Sequence, residues 1–191
     1  MIKNTTLRYG LVAMIFHWLS ALIIIFMFGL GIYMMDLPYG HPYEQTSFNL
    51  HQSIGMSFFI LWTLRIIWRL INVSPKLDEA ITTFKKFEKL SVHVVHTVLY
   101  LLMFVMLFSG YLLAITDGSG YSFTFWGWFE VPSFGEFFEQ RADLAGLIHE
   151  FVSWVLIGLA SIHALAALKH HFIDKDDTLK KMLPKKHNQE K

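Results

Sequence analysis

Long apolar runs alternate with short polar stretches along the chain, and four of the runs are long enough to cross a bilayer. They cover residues about 9–35, 48–71, 91–115 and 143–171. A helix needs about 20 mainly apolar residues to span the hydrocarbon layer, and it satisfies its own backbone hydrogen bonds there. The pattern predicts an all-α integral membrane protein, a four-helix bundle that forms a single domain over residues 1–191.

Lysine and arginine fall almost entirely on one side of the predicted membrane. That side contains the N-terminus, the loop between the second and third runs, and the C-terminus. Together with the adjoining helix ends it holds all 16 of these residues except Arg141. Basic residues are retained in the cytoplasm during insertion. We therefore expect an up-down-up-down topology with both termini cytoplasmic and with membrane lipid around the helices.

The two loops on the opposite side have a different character. Their acidic residues are Asp36, Glu44, Asp117, Glu130, Glu136 and Glu139. Residues 121–138 are dense in aromatic side chains, which predicts a segment at the membrane–water interface, with a short amphipathic piece near 134–140.

Composition narrows the chemistry that the chain can support. Hydrophobic residues make up 54 % of the chain and charged residues 16 %. The chain has ten histidines and no cysteine. The absence of cysteine excludes disulfides, iron–sulfur ligation, thiolate zinc sites and covalent attachment of a c-type haem. Imidazole is therefore the leading candidate ligand for any metal or haem, and no nucleic-acid partner is expected.

Four histidines fall at two depths of the predicted bundle. His149 and His163 are 14 positions apart on the fourth run, which places them on one helical face and about 21 Å apart along the axis. His17 lies at the inner end of the first run, and His51 lies near the outer start of the second. The inner level therefore has His17 and His163, and the outer level has His51 and His149.

Matched pairs of this kind favour a cofactor site. Two imidazoles from facing helices can ligate one haem iron from opposite sides, and helix bundles build such sites from inward-facing side chains. Two b-type haems at the two levels would form an electron path across the membrane. The alternatives are histidines that only hydrogen-bond to neighbours, and a haem-free transporter or metal permease.

Other residues near the inner level allow more than one interpretation. Arg65 and Arg69 are four positions apart, and they either snorkel to the inner surface or bind the propionates of the inner haem. His93 and His96 share a face at about the same depth. They could compete as ligands, line a quinone pocket or pair with the inner loop.

Two more features lie in or beside the apolar runs. His170 and His171 follow the fourth run beside Lys169, and they form either a charged collar or a quinone head-group site. Gly55, Gly110 and Gly158 would let a flat macrocycle approach the backbone, although ordinary small-residue helix packing explains them better.

The short motifs occur in an ordered set. They are F-H-W at 16–18, H-x-S-x-G at 51–55, R-x-x-x-R-L at 65–70, H-x-x-H at 93–96, H-E at 149–150, the histidine at 163, H-H at 170–171, and D-x-T-L and M-L-P within 176–184. This set resembles the bacterial cytochrome b561 family over nearly the whole chain.

The resemblance implies a di-haem b cytochrome in the bacterial inner membrane, with histidines as the axial ligands. It assigns His17 and His163 to the inner haem and His51 and His149 to the outer haem. These are the same pairs that depth suggests.

The resemblance also implies what the protein exchanges electrons with. It leaves His93 and His96 without an axial role, and it implies the quinone pool as a partner. One member type is a superoxide oxidase, which passes electrons from superoxide to ubiquinone, and its quinone-facing histidine corresponds to His170.

The acidic outer loops bear on the identity of the electron donor. An enzyme that collects the superoxide anion benefits from a positive outer mouth, whereas acidic loops attract a basic periplasmic electron-transfer protein. An alternative role is therefore a membrane-anchor subunit that relays electrons for a peripheral dehydrogenase or hydrogenase.

Overall fold

Four long helices dominate the computed structural model, which describes residues 1–75, 84–115, 123–131 and 142–184. All four are long and apolar enough to span a membrane, which confirms the predicted all-α membrane bundle. The helices are α1 (Leu11–Asp36), α2 (Glu44–Leu70), α3 (Phe84–Ile115) and α4 (Ala142–Phe172).

Helix α2 begins earlier than the apolar pattern predicted. Its first residue is Glu44, whose carboxylate accepts a hydrogen bond from the backbone N–H of Gly40 at 2.7 Å. An acidic residue in the first turn also interacts favourably with the positive end of the helix dipole. Polar chemistry at the helix start therefore extends α2 beyond its apolar segment.

The outward surface of the bundle is apolar. Leu22 is 65 % exposed, Leu165 is 64 % exposed and Phe151 is 70 % exposed. Contiguous apolar surface of this kind is unfavourable in water but suits contact with lipid chains. The burial pattern therefore agrees with a protein that is surrounded by a bilayer.

The buried core lies in the middle of the bundle. Phe58 and Trp62 from α2 meet Met103 from α3 and Leu156 from α4, and Ile24 from α1 packs against them. Leu156 is seven positions from both His149 and His163. The core therefore forms an apolar layer between the two histidine levels.

Both termini gather at one end of the bundle, which we call the inner end. The Arg8 guanidinium donates a hydrogen bond to the Lys180 carbonyl oxygen at 2.6 Å, and Trp18 Nε1 donates to the Met182 carbonyl oxygen at 2.9 Å. Asn4 Nδ2 donates to the carbonyl oxygen of Val73, just after α2. The cytoplasmic orientation of this end remains a prediction from the lysines and arginines.

A small hairpin lies at the opposite, outer end. Strands β1 (Phe123–Phe125) and β2 (Phe129–Val131) pair antiparallel, and Trp126 and Gly127 both have positive φ, as a type I′ turn requires. The sequence predicted interfacial aromatic residues here but no strands. The amphipathic piece expected near 134–140 and Arg141 lie outside the described residues.

The hairpin is attached to α2 by one residue. The backbone N–H of Trp126 donates to Ser53 Oγ at 3.2 Å, and its indole Nε1 donates to Ser57 Oγ at 3.0 Å. Ser53 is buried. The hairpin therefore covers polar groups on the outer half of a membrane helix.

Candidate cofactor sites

The structure brings the four histidines together in the two pairs expected from their depth. His17 on α1 faces His163 on α4 with ring centres 6.4 Å apart and ring planes at 70°. His51 on α2 faces His149 on α4 with ring centres 6.2 Å apart and planes at 72°. One helix thus contributes to both pairs, at its outer and inner ends.

These separations can be compared with the geometry of a haem. An imidazole nitrogen binds iron at about 2 Å, and the ring centre lies about 1.2 Å behind that nitrogen, so two axial imidazoles have centres about 6.3 Å apart. Both pairs match this separation. The residues present therefore fit two bis-histidine haems, one at each level.

His96 also approaches the inner pair, but its geometry differs. Its ring centre is 5.0 Å from that of His163, which is too short for two ligands on opposite sides of one iron. Its Nδ1 atom lies 2.7 Å from the Val92 carbonyl oxygen, so that nitrogen donates within α3. His93 is exposed on the surface of α3.

An apolar cavity surrounds the outer pair. It contains about 860 Å³ of empty space, including the part that is open to the outside. His51 and His149 both line it, together with Gly55 and Gly110 from facing helices. A cavity that is apolar and flanked by glycines on two sides suits a flat hydrophobic macrocycle.

Helix α3 fixes the orientation of His149. A β-carbon on Gly110 would lie 2.7 Å from His149 Cε1, so only glycine leaves room for the ring. Ser109 Oγ lies 3.1 Å from His149 Nδ1. A proton on Nδ1 that is donated to this hydroxyl leaves Nε2 with its lone pair free for a metal.

Two arginines lie beside the inner pair. Arg65 Nη2 is 3.4 Å from His17 Nδ1, and the guanidinium carbons of Arg65 and Arg69 lie 5.4 and 4.7 Å from the ring centre of Tyr100. Within the described part of the chain neither guanidinium forms an ion pair with a carboxylate. The pair is therefore placed to receive an anionic group.

The histidines after the inner pair lie at the inner end of α4. His170 Nδ1 is 2.9 Å from Asp176 Oδ2, so this ring is held by the turn that follows the helix. His171 packs edge-to-face against Phe172, with ring centres 4.8 Å apart.

Comparison with known proteins shows which family the chain belongs to. A family model described as prokaryotic cytochrome b561 matches residues 8–185. The chain belongs to the prokaryotic cytochrome b561 family. The resemblance seen in the sequence motifs is thereby confirmed.

Several curated relatives cover nearly the whole chain. Cytochrome b561 homolog 2 of Escherichia coli (strain K12) is 40 % identical over 182 residues, which are 95 % of this chain and 94 % of that protein. The probable superoxide oxidase CybB of Yersinia pestis is 29 % identical over 192 residues, covering 94 % and 97 %. Cytochrome b561 homolog 1 of E. coli is 26 % identical over 185 residues, covering 94 % and 98 %.

Family membership and the four spanning helices establish the general character of the protein. It is a multi-pass protein of the bacterial inner membrane that transfers electrons and binds haem b. The membrane-permease alternative does not agree with this family, whose members are cytochromes.

Some residues around the sites were not expected from the sequence. Tyr100 lies four positions after His96, so helical periodicity places it on the same face. Ser109 carries no motif, and Asp176 belongs to the D-x-T-L motif without an assigned role. Their contacts depend on how the helices pack, which periodicity alone does not give.

Proposed function

We propose that this cytochrome holds two b haems and carries electrons between a one-electron partner at its outer end and a quinone near its inner end. His17 and His163 ligate the inner haem, and His51 and His149 ligate the outer one. The observation that supports this assignment is the separation of the two ring pairs, 6.4 and 6.2 Å.

The ligand count separates a haem from a bare metal ion. A bare ion needs three or four protein ligands, whereas a haem iron already has four porphyrin nitrogens and needs two. Among the residues that the structure describes, no three histidine or carboxylate groups come together as a metal site. Histidine pairs without a third group in metal-binding geometry are thus better suited to haem than to metal transport.

The protein holds and tunes the haems through its own side chains. Haem b supplies an iron that takes up and gives up single electrons. Ser109 keeps His149 in the tautomer whose Nε2 can ligate. Arg65 and Arg69 are placed to bind carboxylates, the groups that haem propionates present.

The position of Arg65 is consistent with this role. A guanidinium only donates hydrogen bonds, so its contact with His17 Nδ1 requires a bare nitrogen there. Were His17 to ligate iron through Nε2, its proton would lie on Nδ1 and this contact with Arg65 would be lost. Arg65 would then be available to bind a propionate.

The apolar layer between the two levels has a role in the electron path. Phe58, Trp62, Met103 and Leu156 fill it, and Trp62 lies 6.2 Å from Phe104 between ring centres. None of these four side chains carries a titratable group that could pass a proton between the two levels. Under the proposal, electrons would cross this layer between the two haems.

Quinone and superoxide are the substrates that the family suggests. We place the quinone at the inner end near His170, whose ring is held by Asp176. The Yersinia pestis relative is named as a probable superoxide oxidase, which makes superoxide the most concrete outer donor. The reaction would then be superoxide:ubiquinone oxidoreduction.

The outer surface favours a second candidate function. The charged side chains at that end within the described residues, Asp36, Glu44, Glu130 and Asp143, are all acidic. Acidic groups repel a small anion and attract a basic protein, so a subunit or relay role for a periplasmic partner is the alternative. Superoxide-dependent quinone reduction by the purified chain would exclude it, and stable co-purification with a soluble redox protein would support it.

The haem assignment is tested by counting haems in variants. The wild-type protein should contain two extractable b haems per chain and show a reduced-minus-oxidised b-type spectrum. His163→Ala should retain only the outer haem, because the inner iron loses an axial ligand. His149→Ala should retain only the inner haem, for the same reason at the outer site.

Two controls make this experiment decisive. His93→Ala removes an exposed histidine of α3, and His96→Ala removes the close neighbour of His163, and both should keep two haems. Two haems with an unchanged spectrum in His163→Ala would disprove the inner pair. Loss of the inner haem in His96→Ala would show that His96 is one of its ligands.

A further inference from the structure

A histidine and two aspartates meet where the chain leaves the inner end of α4. His170 Nδ1 lies 2.9 Å from Asp176 Oδ2 and 3.0 Å from Asp174 Oδ2. Each carboxylate has a second partner. Lys169 Nζ is 2.8 Å from Asp174 Oδ2, and the backbone N–H of Thr178 donates to Asp176 Oδ1 at 2.8 Å.

The turn is built so that Asp176 comes back over the helix end. Lys175 adopts a left-handed conformation with φ of 56°, and the backbone N–H of Asp176 donates to the His170 carbonyl oxygen at 3.1 Å. A left-handed conformation is unfavourable for a residue with a β-carbon. The hydrogen bonds of Asp176 offset this cost and fix the carboxylate beside the ring.

The carboxylates determine the protonation pattern of the ring. Burial acts to raise the pKa of Asp176, but hydrogen bonds from Thr178 and the interaction with His170 outweigh it and hold the pKa below its usual value. Asp176 is therefore ionised at neutral pH and only accepts hydrogen bonds. Nδ1 of His170 must carry a proton, and Nε2 is the nitrogen left to exchange one.

Other charged groups near this turn have contacts of their own. Lys169 pairs with Asp174, and Lys180 Nζ pairs with Asp177 Oδ1 at 2.9 Å. From the N-terminal segment, Arg8 donates to the Lys180 carbonyl oxygen. The two aspartates are thus the charged groups that contact the His170 ring within the described residues.

We propose that Asp176 is a positioning residue that holds His170 so that Nε2 passes protons from water at the inner end to a bound quinone. This inference rests on the proposed quinone site. One quinone becomes quinol by gaining two electrons, which arrive singly from the outer one-electron donor, and two protons. For each proton, the Nε2–H bond breaks as an O–H bond forms at a quinone carbonyl oxygen, and water at the inner end reprotonates the ring.

The test follows reoxidation of the chemically reduced protein by ubiquinone-1, so it does not depend on the outer donor. Asp176→Asn should lower the limiting rate at saturating ubiquinone-1 by about 10- to 100-fold, since an outer-shell partner of a reacting histidine has effects of that size. The half-saturating quinone concentration and the haem content should stay within about twofold, because Asp176 does not itself contact quinone.

A conservative variant separates a charge effect from a change of shape. Asp176→Glu keeps the charge and should recover most of the rate. Asp177→Asn is the matched control, because Asp177 pairs with Lys180, and it should behave as wild type.

Each outcome decides one of the claims. Equal losses in Asp176→Asn and Asp176→Glu would show that the shape of the turn matters rather than its charge, and would overturn the proposal. A normal Asp176→Asn beside a slow His170→Gln would overturn it too but leave the quinone site standing. Normal rates in His170→Gln would show that quinone is not reduced beside His170, and would overturn the proposed quinone site.

Discussion

At the scale of single residues, the two proposed haem sites depend on the fixed spacing of histidines along α4. The 14 positions between His149 and His163 place both on one face of the helix. In the structure, His149 faces His51 from α2, and His163 faces His17 from α1. This part of the site could be predicted because helical periodicity within one element is independent of how the elements pack. The axial roles themselves are part of the proposed function, which the separation of the ring centres supports.

Gly110 provides a sharper test of the outer site. Gly110→Ala should lower outer-haem occupancy, because the new methyl group would lie 2.7 Å from His149 Cε1 and displace the ring from His51. Haem extracted per chain should approach one, and the spectrum of the inner haem should persist.

Gly158 is the control for this substitution. It lies in α4 on the exposed side, and a β-carbon there has no atom within 4 Å. Gly158→Ala should therefore keep two haems, and a small gain in helix propensity is expected. Equal haem loss in both variants would mean that small-residue packing, rather than room for His149, explains Gly110.

The residues that the sequence did not reveal share one physical reason. Tyr100 lies between Arg65 and Arg69, and Ser109 contacts His149, only because α3 turns one face toward α2 and α4. Periodicity shows which residues of α3 share a face, but not which helix that face meets. That choice is made by side-chain packing in the core, around Met103 and its neighbours.

At the scale of elements, the helices were predictable and the outer hairpin was not. Runs of apolar residues predicted the four helices, because a bilayer leaves few other structures, although α2 begins four residues and α3 seven residues before its apolar run. Each strand of the hairpin is only three residues long, so the alternation in Phe-Thr-Phe and Phe-Glu-Val is too short to predict a strand. Its position depends on two hydrogen bonds to serines of another element.

This attachment leads to a prediction about the hairpin. Ser57→Ala leaves the Trp126 indole N–H without its acceptor, which should weaken docking of the hairpin by about 1 kcal/mol. Amide hydrogen exchange in residues 123–131 should then be about fivefold faster, as measured by mass spectrometry on the detergent-solubilised protein.

A matched serine separates docking from helix stability. Ser161 Oγ donates to the Ile157 carbonyl oxygen at 2.8 Å, as Ser57 Oγ does to the carbonyl oxygen of Ser53, but Ser161 is exposed on α4. Ser161→Ala should leave exchange in the hairpin unchanged. Unchanged exchange in Ser57→Ala as well would show that strand pairing, and not the contact with α2, holds the hairpin in place.

At the scale of the whole molecule, charge is divided between the two ends. The inner end holds Arg8, Lys175, Lys180 and Lys181, whereas acidic groups predominate at the outer end. The N-terminal segment and residues 180–182 lie at one end of the bundle, and the insertion rule for basic residues predicts that this end faces the cytoplasm. This orientation matters because it decides which compartment supplies the quinone protons and which supplies the donor.

The absence of cysteine makes the orientation directly measurable, because any thiol in the chain must be one that is introduced. Tyr39 in the α1–α2 connection is 99 % exposed, and the side chain of Asp177 at the inner end is 63 % exposed. In intact spheroplasts a membrane-impermeant maleimide should label Tyr39→Cys, whereas Asp177→Cys should react only after the membrane is permeabilised. The cysteine-free parent gives the background for both. The reverse pattern would show that the inner end faces the periplasm. Quinone reduction at His170 would then take its protons from the periplasm and not from the cytoplasm.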